Sequence, residues 1–256
     1  MKVSIFAVVA SLLAAPIAAS DTPPTVFITG SSRGIGLELT RQYAEKGWAV
    51  IATCRTPTLA IELRAIADEH PDVEIVQLDV LDFDRIDEVA EHYRSRAIDV
   101  LINNAGIGGG AENQVFGRIN YAAFDPVMNV NVKAPLKLAE TLLDNVAASG
   151  LKKIITISSS EGSIGMTGGP GRGYFYRPSK TAVNMVMRNL ALAVADRGVI
   201  VGLINPGAVD TDFMNGVPIP LMPVDESVRQ VIDVIDSFNL ESSGSFLNYD
   251  GEQIAW

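Results

Sequence analysis

Along the chain, short continuous apolar runs alternate with longer stretches whose apolar residues return every three to four positions. Short runs bounded by Gly, Pro, Asn or Asp read as buried strands, and the periodic stretches read as amphipathic helices. The pattern predicts strands over 25–30, 48–53, 73–79, 99–104, 152–159, 199–206 and 244–251. Between them it predicts helices over 35–46, 59–70, 85–96, 125–148, 180–196 and 225–238. The strands are apolar on both faces, which calls for parallel pairing with helices above and below the sheet. Right-handed crossovers then lead to an α/β fold, a single doubly wound, mostly parallel sheet of Rossmann type with helices on both faces. No long polar linker or internal repeat divides the chain after Asp21, so residues 21–256 read as one domain.

Composition narrows the chemistry. A formal net charge of −10 argues against a nucleic-acid partner, because binding a phosphate backbone requires a basic face. The single cysteine, Cys54, lies in the apolar run WAVIATC and reads as a small buried hydrophobe. One cysteine allows neither an intramolecular disulfide nor a cysteine-based zinc cluster, and the two histidines, His70 and His92, sit in polar surroundings; no metal site is expected.

Residues 1–20, MKVSIFAVVASLLAAPIAAS, have one positive charge, an apolar run and then small residues, the layout of a secretory signal peptide. The run is short for a membrane span. Cleavage near Ala19 or Ser20 would send the protein into the secretory pathway. The alternatives are an uncleaved membrane anchor, or a packed extension on a cytoplasmic protein.

In an open parallel sheet, ligands bind outside the carboxyl ends of the strands. The motifs TGSSRGIG (29–36), NNAG (103–106), SSSEG (158–162) and NPGAVDT (205–211) all fall at that edge. In TGSSRGIG, Gly30 allows a tight turn, Gly34 lets backbone approach a pyrophosphate, and Gly36 permits close packing of helix on strand. A second strand ending in a carboxylate would bind the ribose hydroxyls of NAD(H). Here that strand runs into Cys54 and Arg55, and Arg33 adds a second guanidinium within the loop, so NADP(H) is expected ahead of NAD(H). Both arginines also read as solvated surface side chains. Asp79 is placed to accept from the adenine amine and Asn103 to Gly106 to line the cofactor, although turn chemistry explains these residue types equally.

The stretch GYFYRPSK (173–180) supplies the acid–base candidate. Residues four apart on a helix share a face; Tyr176 is four before Lys180, whereas four after Tyr174 is Pro178. An ammonium beside a phenol favours the phenolate, so the pair predicts a phenol with its pKa lowered toward neutrality. Pro178 fits if the helix is just starting there.

Taken together and in this order, the motifs resemble the short-chain dehydrogenase/reductase family over essentially everything after the leader. GYFYRPSK, the long serine-to-tyrosine run and the ending GSFLNYDGEQIAW resemble its C-factor and sniffer-like carbonyl reductase branch. The resemblance implies a catalytic set of Ser159, which binds the substrate oxygen, Tyr176 as proton donor, Lys180 tuning it and contacting the nicotinamide ribose, and Asn131 supporting a proton-relay water. It implies cofactor contacts from Gly30, Ser32, Arg33, Gly34, Ile35, Gly36, Arg55, Asp79, Val80, Asn104, Ala105, Gly106, Tyr176 and Lys180. Pro206, Gly207, Val209 and Thr211 would hold the carboxamide side of the nicotinamide.

The commoner serine-to-tyrosine spacing of the family would select Ser163. Ser159 is preferred because it directly follows the strand, which leaves SIGMTGGPGRG (163–173) as a flexible flap. An apolar loop over 213–223 reads as a lid with Phe213 and Met214 on an apolar substrate, or else as loop anchors.

The expected activity is NADP(H)-dependent reduction of an aldehyde or ketone, or its reverse, on a small-molecule carbonyl or alcohol. A nucleotide-binding regulatory or signalling protein on the same scaffold is the alternative. The helices after Asp125 and Lys180 offer a possible homodimer face.

Overall fold

The computed structural model describes residues 22–168 and 171–256; the apolar leader lies outside the described residues. Strands β1 (Thr25–Thr29), β2 (Ala49–Cys54), β3 (Val73–Gln77), β4 (Val100–Asn103), β5 (Lys153–Ile157), β6 (Ile200–Asn205) and β7 (Phe246–Asn248) form one sheet. Their order is β3-β2-β1-β4-β5-β6-β7, and every neighbouring pair is parallel rather than merely most of them.

Helices α1 (Gly34–Glu45), α2 (Ile61–Glu69) and α8 (Val224–Ser237) bury Leu39, Tyr43, Leu63, Val231 and Ile235 against Val26, Ile28, Val50 and Ile102 on one face. Helix α3 (Phe83–His92), α5 (Ala134–Thr141) and α7 (Tyr176–Ala193) bury Ile86, Leu138, Val183 and Met187 against Phe27, Ile51, Leu101 and Ile154 on the other. The alternation of strand side chains between two apolar layers explains why the strands read as unbroken hydrophobic runs.

Helix α3 ends at His92, four residues short of the predicted 96, and two other helices depart from the sequence pattern. The predicted helix over 125–148 is instead α4 (Phe124–Met128), a π-helical turn (Asn129–Lys133), α5, and α6 (Leu143–Ala147) after a break at Leu142. Pro135 has no amide hydrogen, and its ring crowds the carbonyl four residues earlier. The helix therefore widens ahead of it, with the Ala134 amide bonding to the Asn129 carbonyl five residues back. Helix α7 begins at Tyr176, ahead of the predicted 180, which puts Pro178 in its first turn where no intrahelical bond is lost.

Cys54 is buried at the end of β2, and burial pushes its thiol pKa up. Among the described residues no helix is long and apolar enough to cross a membrane, and no group of three or more His, Cys, Asp or Glu could hold a metal ion.

Candidate active site

The chain order reverses between β1 and β4, and the crevice at their carboxyl ends receives all four glycine-bearing motifs. Gly30 and Gly34 have φ of +73° and +56°, conformations that side-chain-bearing residues rarely adopt. At Gly36 an added Cβ would lie 2.2 Å from the Gly30 carbonyl oxygen and 2.5 Å from Asn104 Nδ2. The start of α1 thus lies flush on the strand end, and Arg33 at its N-cap makes no side-chain cap, so the first amides remain available to an anion.

Asn104 holds this cradle in place. Its Nδ2 donates to the Thr29 and Gly30 carbonyls at 2.8 and 3.2 Å, while the Asn104 and Ala105 amides donate to Thr29 Oγ1. Its side chain is therefore a brace for the glycine loop. Ser32 and Ile35 are half-buried beside the loop, and Gly106 is exposed at the crevice.

The acid–base candidates converge from three elements. Lys180, buried on α7, donates from Nζ to the Ile157 carbonyl at the end of β5 at 2.8 Å, and lies 5.7 Å from the centre of the Tyr176 ring. Gly162 makes this approach possible, since a Cβ there would meet the Lys180 backbone at 2.9 Å. Ser159 precedes the tight turn Ser160–Gly162 and accepts from the Glu161 amide at 3.2 Å.

The phenol of Tyr176 is pushed up to about 12, first by burial and then by the Glu161 carboxylate, with hydrogen bonding to the Ser159 hydroxyl opposing them. This reverses the expectation of a phenol drawn toward neutrality. Burial also lowers Lys180, to about 8, so the neighbouring cation is itself weakened in the enclosed site. Tyr176 is thus protonated at neutral pH.

Ser163 is buried, its hydroxyl accepting from the Met166 amide at 3.1 Å and its carbonyl from the Thr167 hydroxyl at 2.8 Å. It braces the loop after β5, whereas Ser159 is the hydroxyl that opposes the rise of the Tyr176 pKa. In the predicted flap, Gly165 is tied by its amide to the Trp256 carbonyl at 2.8 Å, and residues 169–170 lie outside the described residues.

Asn131 sits in the π-helical turn and is buried. Its Nδ2 donates to the Ile107 carbonyl and to Ser179 Oγ, both at 2.9 Å, and its Oδ1 accepts from the Ile107 amide at 2.9 Å. Ser179 in turn donates to the Tyr176 carbonyl at 2.7 Å, which ties Asn131 to the first turn of α7. A Cβ at Gly106 would lie 3.4 Å from Asn131 Oδ1 and 3.8 Å from Lys180 Nζ, so the oxygen and the amine border one small gap.

The remaining sequence-predicted residues divide by what they touch. Arg55 is exposed at the end of β2, and its guanidinium has no partner among the described residues. Arg33 does not stand free beside it but pairs with Asp212 at 2.9 Å; both side chains are well exposed, so the pair contributes little. Asp79 is exposed and its Oδ1 accepts from the Leu81 amide at 3.0 Å, which is turn chemistry; Val80 beside it is buried.

After β6, the Pro206 carbonyl accepts from Ser227, Gly207 has φ of +85°, and Val209 is buried. Thr211 packs its methyl where a Cβ on Gly34 would lie 3.3 Å away. Two residues on, the Phe213 ring lies 5.3 Å from that of Tyr176 and crosses the position of a Cβ at Gly108 at 3.3 Å. Met214 ends the same tight turn and is half-buried.

Two residues near the site escaped sequence reasoning. Glu161 accepts from Arg177 Nε and, at 2.9 Å, from Arg172; the Arg177 hydrogen bond holds its carboxyl below the usual range. Its place two residues after Ser159, in the tight turn that follows it, is the only signal. Gln114 reaches the start of α7 from 61 residues away, and nothing local in GGGAENQ marks it.

Comparison with known proteins identifies the family. Residues 24–218 match the family model described as short chain dehydrogenase. The chain is 34% identical to the C-signal protein of Myxococcus xanthus over 159 residues, which are 62% of this chain and 93% of that protein. The NADPH-bound carbonyl reductase from chicken fatty liver is 31% identical, with a TM-score of 0.85, covering 92% of this chain and 100% of that one. The carbonyl reductase Sniffer of D. melanogaster is 30% identical, with a TM-score of 0.81 over 91% of this chain and 100% of its own. With a single parallel sheet, a glycine cradle at its switch point and Ser159, Tyr176 and Lys180 beside it, the chain belongs to the short-chain dehydrogenase/reductase family of oxidoreductases.

Proposed function

We propose that the protein is an NADP(H)-dependent carbonyl reductase, converting an aldehyde or ketone to an alcohol, with the reverse oxidation on the same groups. The observation that carries this reading is the placement of Tyr176 in the first turn of α7 with the Lys180 amine 5.7 Å from its ring, at the strand edge that bears the glycine cradle. The dinucleotide, when bound, supplies hydride.

Ser159 Oγ and the Tyr176 hydroxyl hold and polarise the carbonyl oxygen. The phenol O–H bond then breaks and its proton passes to the developing alkoxide. Lys180, with its ammonium near that ring, stabilises the phenolate left behind. Asn131 and Ser179 keep the first turn of α7 fixed during the transfer. Phe213 covers the Tyr176 ring and favours an apolar substrate.

The cradle residues suit a dinucleotide, since a Cβ at Gly36 would fill the contact with Gly30. Support for the phosphorylated form comes from the unpaired guanidinium of Arg55, from the absence of a carboxylate ending β2, and from the NADPH-bound chicken reductase. Replacing Arg55 by Ala should weaken NADPH binding about tenfold and leave NADH within about twofold, since a charge-assisted hydrogen bond contributes about 1.5 kcal/mol or more. Fluorescence titration with the two nucleotides measures this; equal losses for both would remove Arg55 from phosphate recognition.

The pH dependence follows from Lys180. Its ammonium loses a proton near pH 8 in the free enzyme, while Tyr176, raised to about 12, keeps its own. Consequently kcat/KM for reduction should fall through one ionisation as pH rises past about 8, and Lys180→Met should abolish that step. A profile unchanged by Lys180→Met would assign the ionisation elsewhere.

A regulatory or signalling role with little turnover is the second reading, supported by the similarity to the C-signal protein. NADPH oxidation with a panel of aldehydes and ketones separates the two. Turnover supports the reductase, whereas tight NADPH binding without turnover supports the regulator.

A further inference from the structure

Helix α7 starts at Tyr176 with no capping side chain from its own neighbourhood; Phe175, at the N-cap, offers none. The first amides of a helix have no intrahelical acceptor and need one from elsewhere. Here it comes from Gln114, a buried residue in the loop after β4. Its Oε1 accepts from the Phe175 amide at 2.7 Å and from the Tyr176 amide at 3.3 Å. Its Nε2 donates to the Gly108 carbonyl at 2.8 Å and to the Gly110 carbonyl at 2.9 Å. All four hydrogen-bonding positions of the amide group are therefore filled.

The loop is shaped to receive it. Gly109 and Gly110 both have positive φ, and a Cβ on Gly109 would meet Val127 at 2.7 Å and the Phe175 ring at 3.4 Å. The carbonyls on either side of Gly109 can thus converge on one side-chain amide while Phe175 packs over the glycine. The same loop carries Ile107, bonded both ways to Asn131, and Gly108, crossed by Phe213. Gln114 is a second link, beside Asn131 and Ser179, that fixes the backbone of Tyr176 relative to these groups, and it alone holds the amide side of the turn to Gly108 and Gly110.

We propose that Gln114 is a positioning residue for proton transfer: it sets where the Tyr176 hydroxyl lies by clamping the first turn of α7 to the 108–110 loop. The proposal rests on the reading of Tyr176 as the proton donor. Gln114 touches neither the phenol nor the reacting atoms, so its effect is on geometry. A displacement of about 1 Å in a reacting group lowers a rate by about 10²-fold.

Two variants and three readouts test it. Gln114→Leu removes all four bonds at similar size; Gln114→Glu keeps the acceptor for the helix amides, and replaces the two donations to the loop by an oxygen that faces the Gly108 and Gly110 carbonyls. For Gln114→Leu, kcat should fall about 100-fold, with the Kd for NADPH within about threefold of wild type. The solvent deuterium isotope effect on kcat should rise, because proton transfer becomes limiting.

Gln114→Glu should recover about tenfold of that loss. Hydrogen exchange at the amides of 175 and 176 should be slow in wild type and Gln114→Glu, and at least tenfold faster in Gln114→Leu. A folded Gln114→Leu with kcat within threefold of wild type overturns the proposal. So does a fall in kcat with an unchanged isotope effect and a parallel loss of NADPH affinity, the mark of general loosening.

If Gln114→Leu does not fold, Gln114→Glu decides: a tenfold loss in kcat with protected amides supports the clamp, and an unchanged kcat refutes it. Full activity of Tyr176→Phe would sink the donor reading itself, and with it the proton-transfer role. The exchange data would then still report separately on whether Gln114 caps the helix.

Discussion

Replacing Tyr176 by Phe is expected to lower kcat for carbonyl reduction about 10³-fold, with the Kd for NADPH kept within about threefold, because a positioned general acid contributes about 10²- to 10⁴-fold. The substitution removes one hydroxyl and leaves the ring, which still packs 5.3 Å from Phe213 and 5.7 Å from the Lys180 amine. Ser159 then remains as a hydrogen-bond partner for the substrate oxygen, but its hydroxyl is a poor acid. The missing proton has to come from water, which is not held in line with the substrate oxygen as the phenol is. Steady-state kinetics alongside a nucleotide titration measure the two quantities. A Phe variant that retains a tenth or more of the wild-type kcat would mean that the proton has another source.

Gly36→Ala should destabilise the fold and abolish nucleotide binding together. The added methyl would fall 2.2 Å from the Gly30 carbonyl oxygen and 2.5 Å from Asn104 Nδ2, far inside contact distance. Neither neighbour can yield cheaply: one is backbone in a left-handed turn, and the other is bonded to the Thr29 and Gly30 carbonyls. Helix α1 must move off β1, which opens the contact that shapes the cradle. Overpacking of this kind costs about 3 kcal/mol, or about 6–12 °C in Tm for a domain of this size.

Gly47→Ala is the matched comparison. Gly47 also has positive φ, at +75°, but nothing lies within 4 Å of its added Cβ, so only backbone strain remains, about 1 kcal/mol. Thermal melts of the two variants separate steric overlap from strain. Equal shifts in Tm would refute the account given for Gly36.

The parts of the site that were legible in the sequence are those set by short-range geometry. TGSSRGIG announces its turn because left-handed backbone and close helix contact both select glycine: Gly30 and Gly34 have φ of +73° and +56°, and Gly36 packs against Gly30. Tyr176 rather than Tyr174 follows from helical spacing alone, and Tyr174 indeed lies elsewhere, 5.9 Å from Phe116. Other features were hidden for physical reasons. The periodicity of 125–148 is helical throughout, yet one missing amide hydrogen at Pro135 changes the winding ahead of it. Arg33 meets its acidic partner, Asp212, from 179 positions away, a pairing that no local spacing reveals.

From the sequence by itself came the strand and helix order, the carboxyl-edge location of the motifs, the glycine cradle and the Tyr176–Lys180 pair, because each depends on spacing along one segment of chain. Only the tertiary structure decided the ionisation of that pair, the bracing role of Ser163 in the loop after β5, and the capping of α7 by Gln114. A pKa depends on how much water the surrounding segments exclude, and a hydrogen bond across 61 residues depends on where two loops end up. Neither quantity is written in any local pattern; both arise when separate segments close on one another.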